Sequence, residues 1–245
     1  MWLDNDSSDA VTYFWQCAGE PENFPRSLER PLALALPVAL VKMPRLSLRE
    51  VETWLRLRGV PFSFQCESRA VRGCLVAFGG KGIVFVDGSD PSDELRFTIA
   101  HEIAHYLTDY WLPRQKAIEK LGMGITEVFD SLRPPTIDER LYAVLGSTKL
   151  GVFIDLMERG PAAAEETWKA ETRADKVALA LLAPPDAVLK ASDLGADRFA
   201  ERLDSIVKTL TMSFGLPKPM AQFYSVELLN AMGKGRSWVE AIRYA

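Results

Sequence analysis

The chain has 245 residues, 48% hydrophobic and 25% charged, a balance that suits a globular fold with a sizeable core. Its net charge of -4 excludes a broadly basic surface that would hold nucleic acid or acidic lipid by charge alone. The longest apolar run, residues 31–41, carries Pro37 and is too short to span a bilayer.

In chain order, residues 1–46 read as an irregular N-terminal arm. The opening Met-Trp-Leu-Asp-Asn-Asp is acidic, where a secretion signal would be basic. Cys17, Cys66 and Cys74 are odd in number and form no CxxC pair. They read as free thiols of a reducing compartment, with Cys66 and Cys74 as small core residues, so a cytoplasmic protein is expected. A helix is predicted over 47–58. Ser47 and Glu50 make a capping box, Leu48, Val51 and Leu55 share a face, and Gly59 stops it. Strands are predicted over 60–64, 71–78 and 83–86, with Gly79-Gly80-Lys81-Gly82 as a hairpin turn.

The best-marked helix follows. Asp90 suits its N-cap and Pro91 its first position. Leu95, Ile99, Ile103 and Leu107 recur every four residues, which predicts a buried stripe on an amphipathic helix. Residues 111–160 read as a helical insertion, with a second capping box at Thr136 and Glu139. A long helix over 161–182 ends at Ala183-Pro184-Pro185. Further helices fill the rest, broken at Gly215-Leu216-Pro217. The fold class is α+β, with the core over 47–190 and a C-terminal helical region over 191–245.

Both histidines of the chain lie in His101-Glu102-Ile103-Ala104-His105, an HExxH motif on the best-marked helix. Residues four apart on a helix are offset by about 40° and about 6 Å, so both imidazoles can reach one zinc ion. Glu102 then lies beside the metal, where it can deprotonate a water as catalytic base. A chance match on a surface helix is disfavoured, because histidine occurs nowhere else in the chain.

A catalytic zinc takes three protein ligands and keeps one position open. With no third histidine, the third ligand must be a carboxylate or a cysteine. Asp109, one turn beyond His105, lies too far along an unbroken helix to share the ion with His101. Glu165 and Glu166 stand near the start of the later helix. Glu171 is the better candidate, since Glu171, Asp175, Ala178 and Leu182 follow one helical stripe. Asp175 is then placed to accept a hydrogen bond from a ligand imidazole and fix its tautomer.

The stretch from Arg96-Phe97-Thr98-Ile99-Ala100 through the motif to Tyr106-Leu107 resembles the active-site helix of the ImmA/IrrE family of metallo-endopeptidases. Glu171-Thr172-Arg173-Ala174-Asp175, the small apolar run after it and Leu181-Leu182-Ala183-Pro184 resemble the family's second motif, with Ala183 where Met is usual. Arg72-Gly73-Cys74-Leu75-Val76 and Ile83-Val84-Phe85-Val86-Asp87 resemble its two strands before the helix. The resemblance covers residues 47–185. It implies a zincin-like metallopeptidase core with a small antiparallel or mixed sheet, a gluzincin-type ligand set and a protein substrate such as a helix-turn-helix repressor. The long segment between the two motifs departs from many members. The hairpin and the resemblance together place Gly73, Cys74, Leu75, Val76 and Ala77 on a sheet edge beside the cleft, where an extended peptide would add as a strand.

Weaker signals remain. Residues 197–230 have the outline of a helix-turn-helix, but 218–230 carries one lysine and no arginine, too few for DNA reading. Tyr106, Tyr142 and Tyr224 are candidate oxyanion donors, selected by no spacing. The alternative to a peptidase is a zinc-containing regulatory protein without turnover. Hydrolysis of a non-peptide bond is a third reading. Glu102 favours catalysis, because a structural zinc site has no use for a glutamate that does not bind the metal.

Overall fold

The computed structural model describes residues 2–19, 21, 23–60, 62–145, 151–158 and 165–235. The N-terminal segment is not an irregular arm. It forms α1 (Asn5–Ala18), α2 (Glu29–Ala35) and β1 (Val38–Met43). Asp4 caps α1 by accepting from the Ser7 backbone N–H at 2.7 Å. Ala10 and Phe14 are fully buried in the main core, so the apolar pairing at that spacing is a helix face that the acidic surroundings disguise.

Helix α3 (Leu48–Arg56) has the expected Ser47 cap and buries Leu48, Val51 and Leu55. Gly59 follows at φ +76°, a left-handed stop that glycine adopts without strain. Among the described residues of 60–64, no strand forms. Strands β2 (Val71–Phe78) and β3 (Lys81–Asp87) make the predicted hairpin, with Gly79 and Gly80 both at positive φ as a two-residue turn requires.

Helix α4 (Ser92–His105) starts one residue later than predicted, with Pro91 rather than Asp90 at its cap. A π-helical turn, Tyr106–Trp111, extends it into α5 (Leu112–Leu121). Then come α6 (Ile125–Phe129), α7 (Ile137–Leu145), with its reciprocal Thr136–Glu139 capping box, and a strand β4 (Phe153–Glu158). The segment over 111–160 is therefore not a purely helical insertion, because its end completes the sheet. Helices α8 (Glu165–Leu182), α9 (Pro185–Ala191), α10 (Phe199–Met212) and α11 (Lys218–Ala231) finish the described chain.

The result is an α+β fold around a small mixed sheet in the order β1-β3-β2-β4. β1 runs parallel to β3, and β2 is antiparallel to both β3 and β4. Side chains alternate across the sheet. Cys74, Val76 and Phe85 meet α3 on one face, while Leu75, Ala77, Val84, Val86 and Phe153 meet α4 on the other. Helix α4 packs on β2 and β3 with α8 against it. It is buried on every side from Phe97 to Leu107, so the expected amphipathic stripe is in fact a central helix. Among the described residues, no helix is long and apolar enough to cross a membrane.

Candidate metal centre

Burial on all sides makes the polar residues of α4 conspicuous. His101, Glu102 and His105 are each at most 1% exposed, and a polar group taken from water needs a partner. His101 Nε2 lies 3.1 Å from His105 Nε2 and 3.2 Å from Glu171 Oε2, which reaches across from α8. His105 Nε2 lies 3.6 Å from Glu171 Oε1. Asp155 of β4 joins them, its Oδ2 3.5 Å from His105 Nε2. The four donor atoms all lie within 4.8 Å of one another.

Each imidazole is oriented by its own carboxylate. His101 Nδ1 bonds Asp175 Oδ1 at 2.9 Å, and His105 Nδ1 bonds Asp109 Oδ2 at 2.7 Å. Arg173 of α8 forms an ion pair with Asp109. An ionised carboxylate only accepts, so each Nδ1 donates to its partner, and a ring that is neutral then turns a lone pair inward from Nε2. Two lone pairs facing at 3.1 Å repel unless a cation or proton lies between them.

The spacing tests whether the residues suit an ion. Donors about 2.0–2.1 Å from a tetrahedral ion stand roughly 3.3 Å apart. The separations above run from 3.1 to 3.6 Å, with Glu171 entering through each of its two oxygens, and one donor atom from each residue lies within 4.8 Å of the others. Two imidazoles and two carboxylates on this geometry could hold a divalent metal ion.

Glu102 stands beside the cluster without belonging to it. Both its carboxylate oxygens are buried and have no hydrogen-bond partner among the described residues. It lies against β2 at Gly73, where an added Cβ would come 2.3 Å from Glu102 Oε1 and 2.8 Å from Thr98 Cγ2. Only a residue without a side chain leaves room for that carboxylate.

The electrostatics follow from burial and crowding. Burial pushes the Glu102 carboxyl well above the usual carboxylate range, and Asp155 adds to the rise. Burial also raises Asp155, against the opposing pull of His105. For His101, burial favours the neutral ring, but the hydrogen bonds with Asp175 and Glu171 outweigh it and the net direction is upward. For Glu171, burial pushes up and the bond to His101 with both imidazoles pulls further down.

Comparison with models of protein families, with curated proteins and with solved structures finds no match. The functional reading of this centre therefore stands on its own geometry.

The structure brings His101, His105, Glu171 and Asp175 together in the expected arrangement, with Glu102 alongside. It contradicts the edge assignment. Gly73, Cys74, Leu75, Val76 and Ala77 pair with β3 on one side and β4 on the other, so the strand is interior. The reason is β4 itself, which covers the side of β2 that the hairpin alone leaves bare. Cys74 points to the α3 face, away from the cluster, and Cys66 is exposed rather than a core residue. The side chains of Glu165 and Glu166 lie outside the described residues.

The tyrosines have other employment. Tyr106 Oη donates to the Gly80 carbonyl at 3.0 Å, and Tyr224 Oη to the Ala183 carbonyl at 2.8 Å. Tyr142 packs beside the cluster of Ala117, Ile125, Val128 and Phe129.

The sequence reading missed the role of Asp109 and the whole of Asp155. Asp109 is no ligand, as its position predicts, but its i,i+4 spacing from His105 marks it as that ring's partner. Asp155 is the lone acid on the α4 face of β4, between Phe153 and Met157 in strict alternation. That period-two pattern was the available signal.

Proposed function

We propose that the chain is a zinc-dependent peptidase of the ImmA/IrrE type with a zincin-like core. Its substrate is a protein or peptide segment, a transcriptional repressor being the class the resemblance suggests, and its setting the cytoplasm. The observation that carries the reading is Glu102: a fully buried acid whose oxygens have no hydrogen-bond partner among the described residues, held against Gly73 beside a cluster suited to a metal but outside it.

His101, His105 and Glu171 would hold the zinc, and Asp175 and Asp109 keep both rings in the tautomer that offers Nε2. Zinc there supplies Lewis acidity, which polarises a peptide carbonyl and acidifies water. Glu102 takes a proton from the attacking water as its oxygen bonds to the carbonyl carbon. When the C–N bond breaks, Glu102 returns that proton to the departing amine nitrogen. The β4 margin, which has no strand neighbour beyond it among the described residues, offers backbone groups to an extended substrate.

One observation favours the alternative, a zinc-containing regulatory protein without turnover. Asp155 is a fourth donor, and four protein donors close a site. The test is incubation of the zinc-loaded protein with a mixture of unfolded polypeptides, reading new N-termini by mass spectrometry. Cleavage that a chelator abolishes, that zinc restores and that His101→Ala lacks is expected. Zinc-loaded protein that generates no new termini from any polypeptide would leave the regulatory reading.

A further inference from the structure

Asp155 differs from the other donors in its support. His101 and His105 ride on a helix buried all round, and Glu171 on a helix packed against it. Asp155 rides on a strand held by β2 on one side only, at the end of the sheet. It is the one donor carried by a strand at the sheet's end rather than by the α4–α8 pair.

Its present position is costly without a cation. Oδ2 is buried and has no hydrogen-bond partner among the described residues, although a carboxylate taken out of water loses several strong hydrogen bonds. Glu171 adds to the negative field at Asp155, where His105 opposes it, and Asp155 adds to that at Glu102. Oδ2 is as close to His105 Nε2 as Glu171 is, 3.5 Å against 3.6 Å. It therefore lies among the donor atoms, within 4.8 Å of those of His101, His105 and Glu171.

We propose that Asp155 is a self-ligand: its carboxylate occupies the coordination position that an incoming substrate carbonyl or water requires, and the centre becomes accessible when Asp155 withdraws on β4. The ligand part rests only on the cluster; the consequence for turnover rests on the peptidase reading.

The test compares the full chain with Asp155→Asn and Asp155→Ala. Three quantities are measured: zinc affinity against a chromophoric chelator, affinity of the zinc-loaded proteins for acetohydroxamate, and peptide cleavage at saturating zinc. Removing even a partner of a ligand costs roughly 10–100-fold in metal affinity, so zinc binding should weaken at least about tenfold. Acetohydroxamate, which must take the open position, should bind the variants more tightly, because nothing need be displaced. Cleavage should rise. Both variants remove a buried carboxylate oxygen that has no hydrogen-bond partner among the described residues, so the metal-free proteins should melt no lower than wild type, which guards against simple misfolding.

Unchanged zinc and acetohydroxamate affinities would overturn the proposal, as would weaker zinc binding with no gain for acetohydroxamate. A fall in cleavage at saturating zinc would overturn it too, by making Asp155 a contributor to the reaction. If zinc and acetohydroxamate shift as expected while no form cleaves peptide, the self-ligand stands and the peptidase reading fails.

Discussion

Gly73→Ala probes the fit between sheet and base. The new Cβ would stand 2.3 Å from Glu102 Oε1 and 2.8 Å from Thr98 Cγ2, about 1 Å inside the nearest comfortable contact. Both neighbours lie on a helix packed on both sides, so neither can swing into open space. Overpacking of this kind costs about 1–3 kcal/mol, against a gain of roughly 0.4–1 kcal/mol from a stiffer unfolded chain. Overpacking wins, with a net loss of about 0.5–2 kcal/mol, or a fall in Tm of about 1–8 °C for a chain of this size. Thermal melting of the metal-free protein reads the loss. A displacement of about 1 Å at the base can also cost about 100-fold in rate, so cleavage should fall further than stability, while zinc binding holds. The decisive control is a double-mutant cycle. Combined with Glu102→Ala or Thr98→Ser, Gly73→Ala should cost less than it does alone. If Gly73→Ala costs the same in all three backgrounds, the contact between Gly73 and the carboxylate does not explain the glycine.

Asp109→Ala and Asp175→Ala should each keep the fold and weaken zinc binding by about 10–100-fold, measured by chelator competition; unchanged affinity in both would mean that the rings hold their tautomer without them. Phe14→Ala should destabilise the chain by about 3–5 kcal/mol in denaturant unfolding, because Phe14 is fully buried in the main core; a negligible loss would return α1 to the status of a loose arm. Asp4→Ala should cost about 0.5–2 kcal/mol at neutral pH through loss of the α1 cap. The hydrogen bond from Ser7 holds the Asp4 carboxyl below its ordinary value. Its contribution is therefore present above the unfolded carboxylate pKa of about 3.9 and is lost as pH falls through the lower folded value. The variant's deficit in chemical unfolding should shrink over that acidic window and persist above it.

The elements legible in the sequence were those with local signals. Capping residues marked α3 and α7, paired glycines marked the β2–β3 hairpin, and the four-residue repeat marked α4. The group that could hold a metal was legible where it depends on helical spacing: His101 with His105, and Glu171 with its neighbour Asp175. What escaped depends on pairing between distant segments. Residues 153–158 alternate as a strand should, but the alternation is short and partly apolar on both faces. Only pairing with β2 makes it a strand, and that pairing turns Gly73–Ala77 from edge to interior and delivers Asp155 to the site. The N-terminal helix was hidden by the acidic residues on its outer face. Burial of α4 on all sides likewise follows from what surrounds it, since its stripe is the only part a single sequence displays.

The central claim is that Glu102 acts as the base beside a zinc ion it does not bind. Glu102→Gln preserves the side chain's shape and removes its ability to take a proton. The deciding measurement is zinc content together with peptide turnover for this variant and the wild type, under identical conditions. The account predicts one equivalent of zinc in both and a loss of about 10²–10⁴-fold in the turnover of the variant. Full turnover by a zinc-replete Glu102→Gln protein would contradict it.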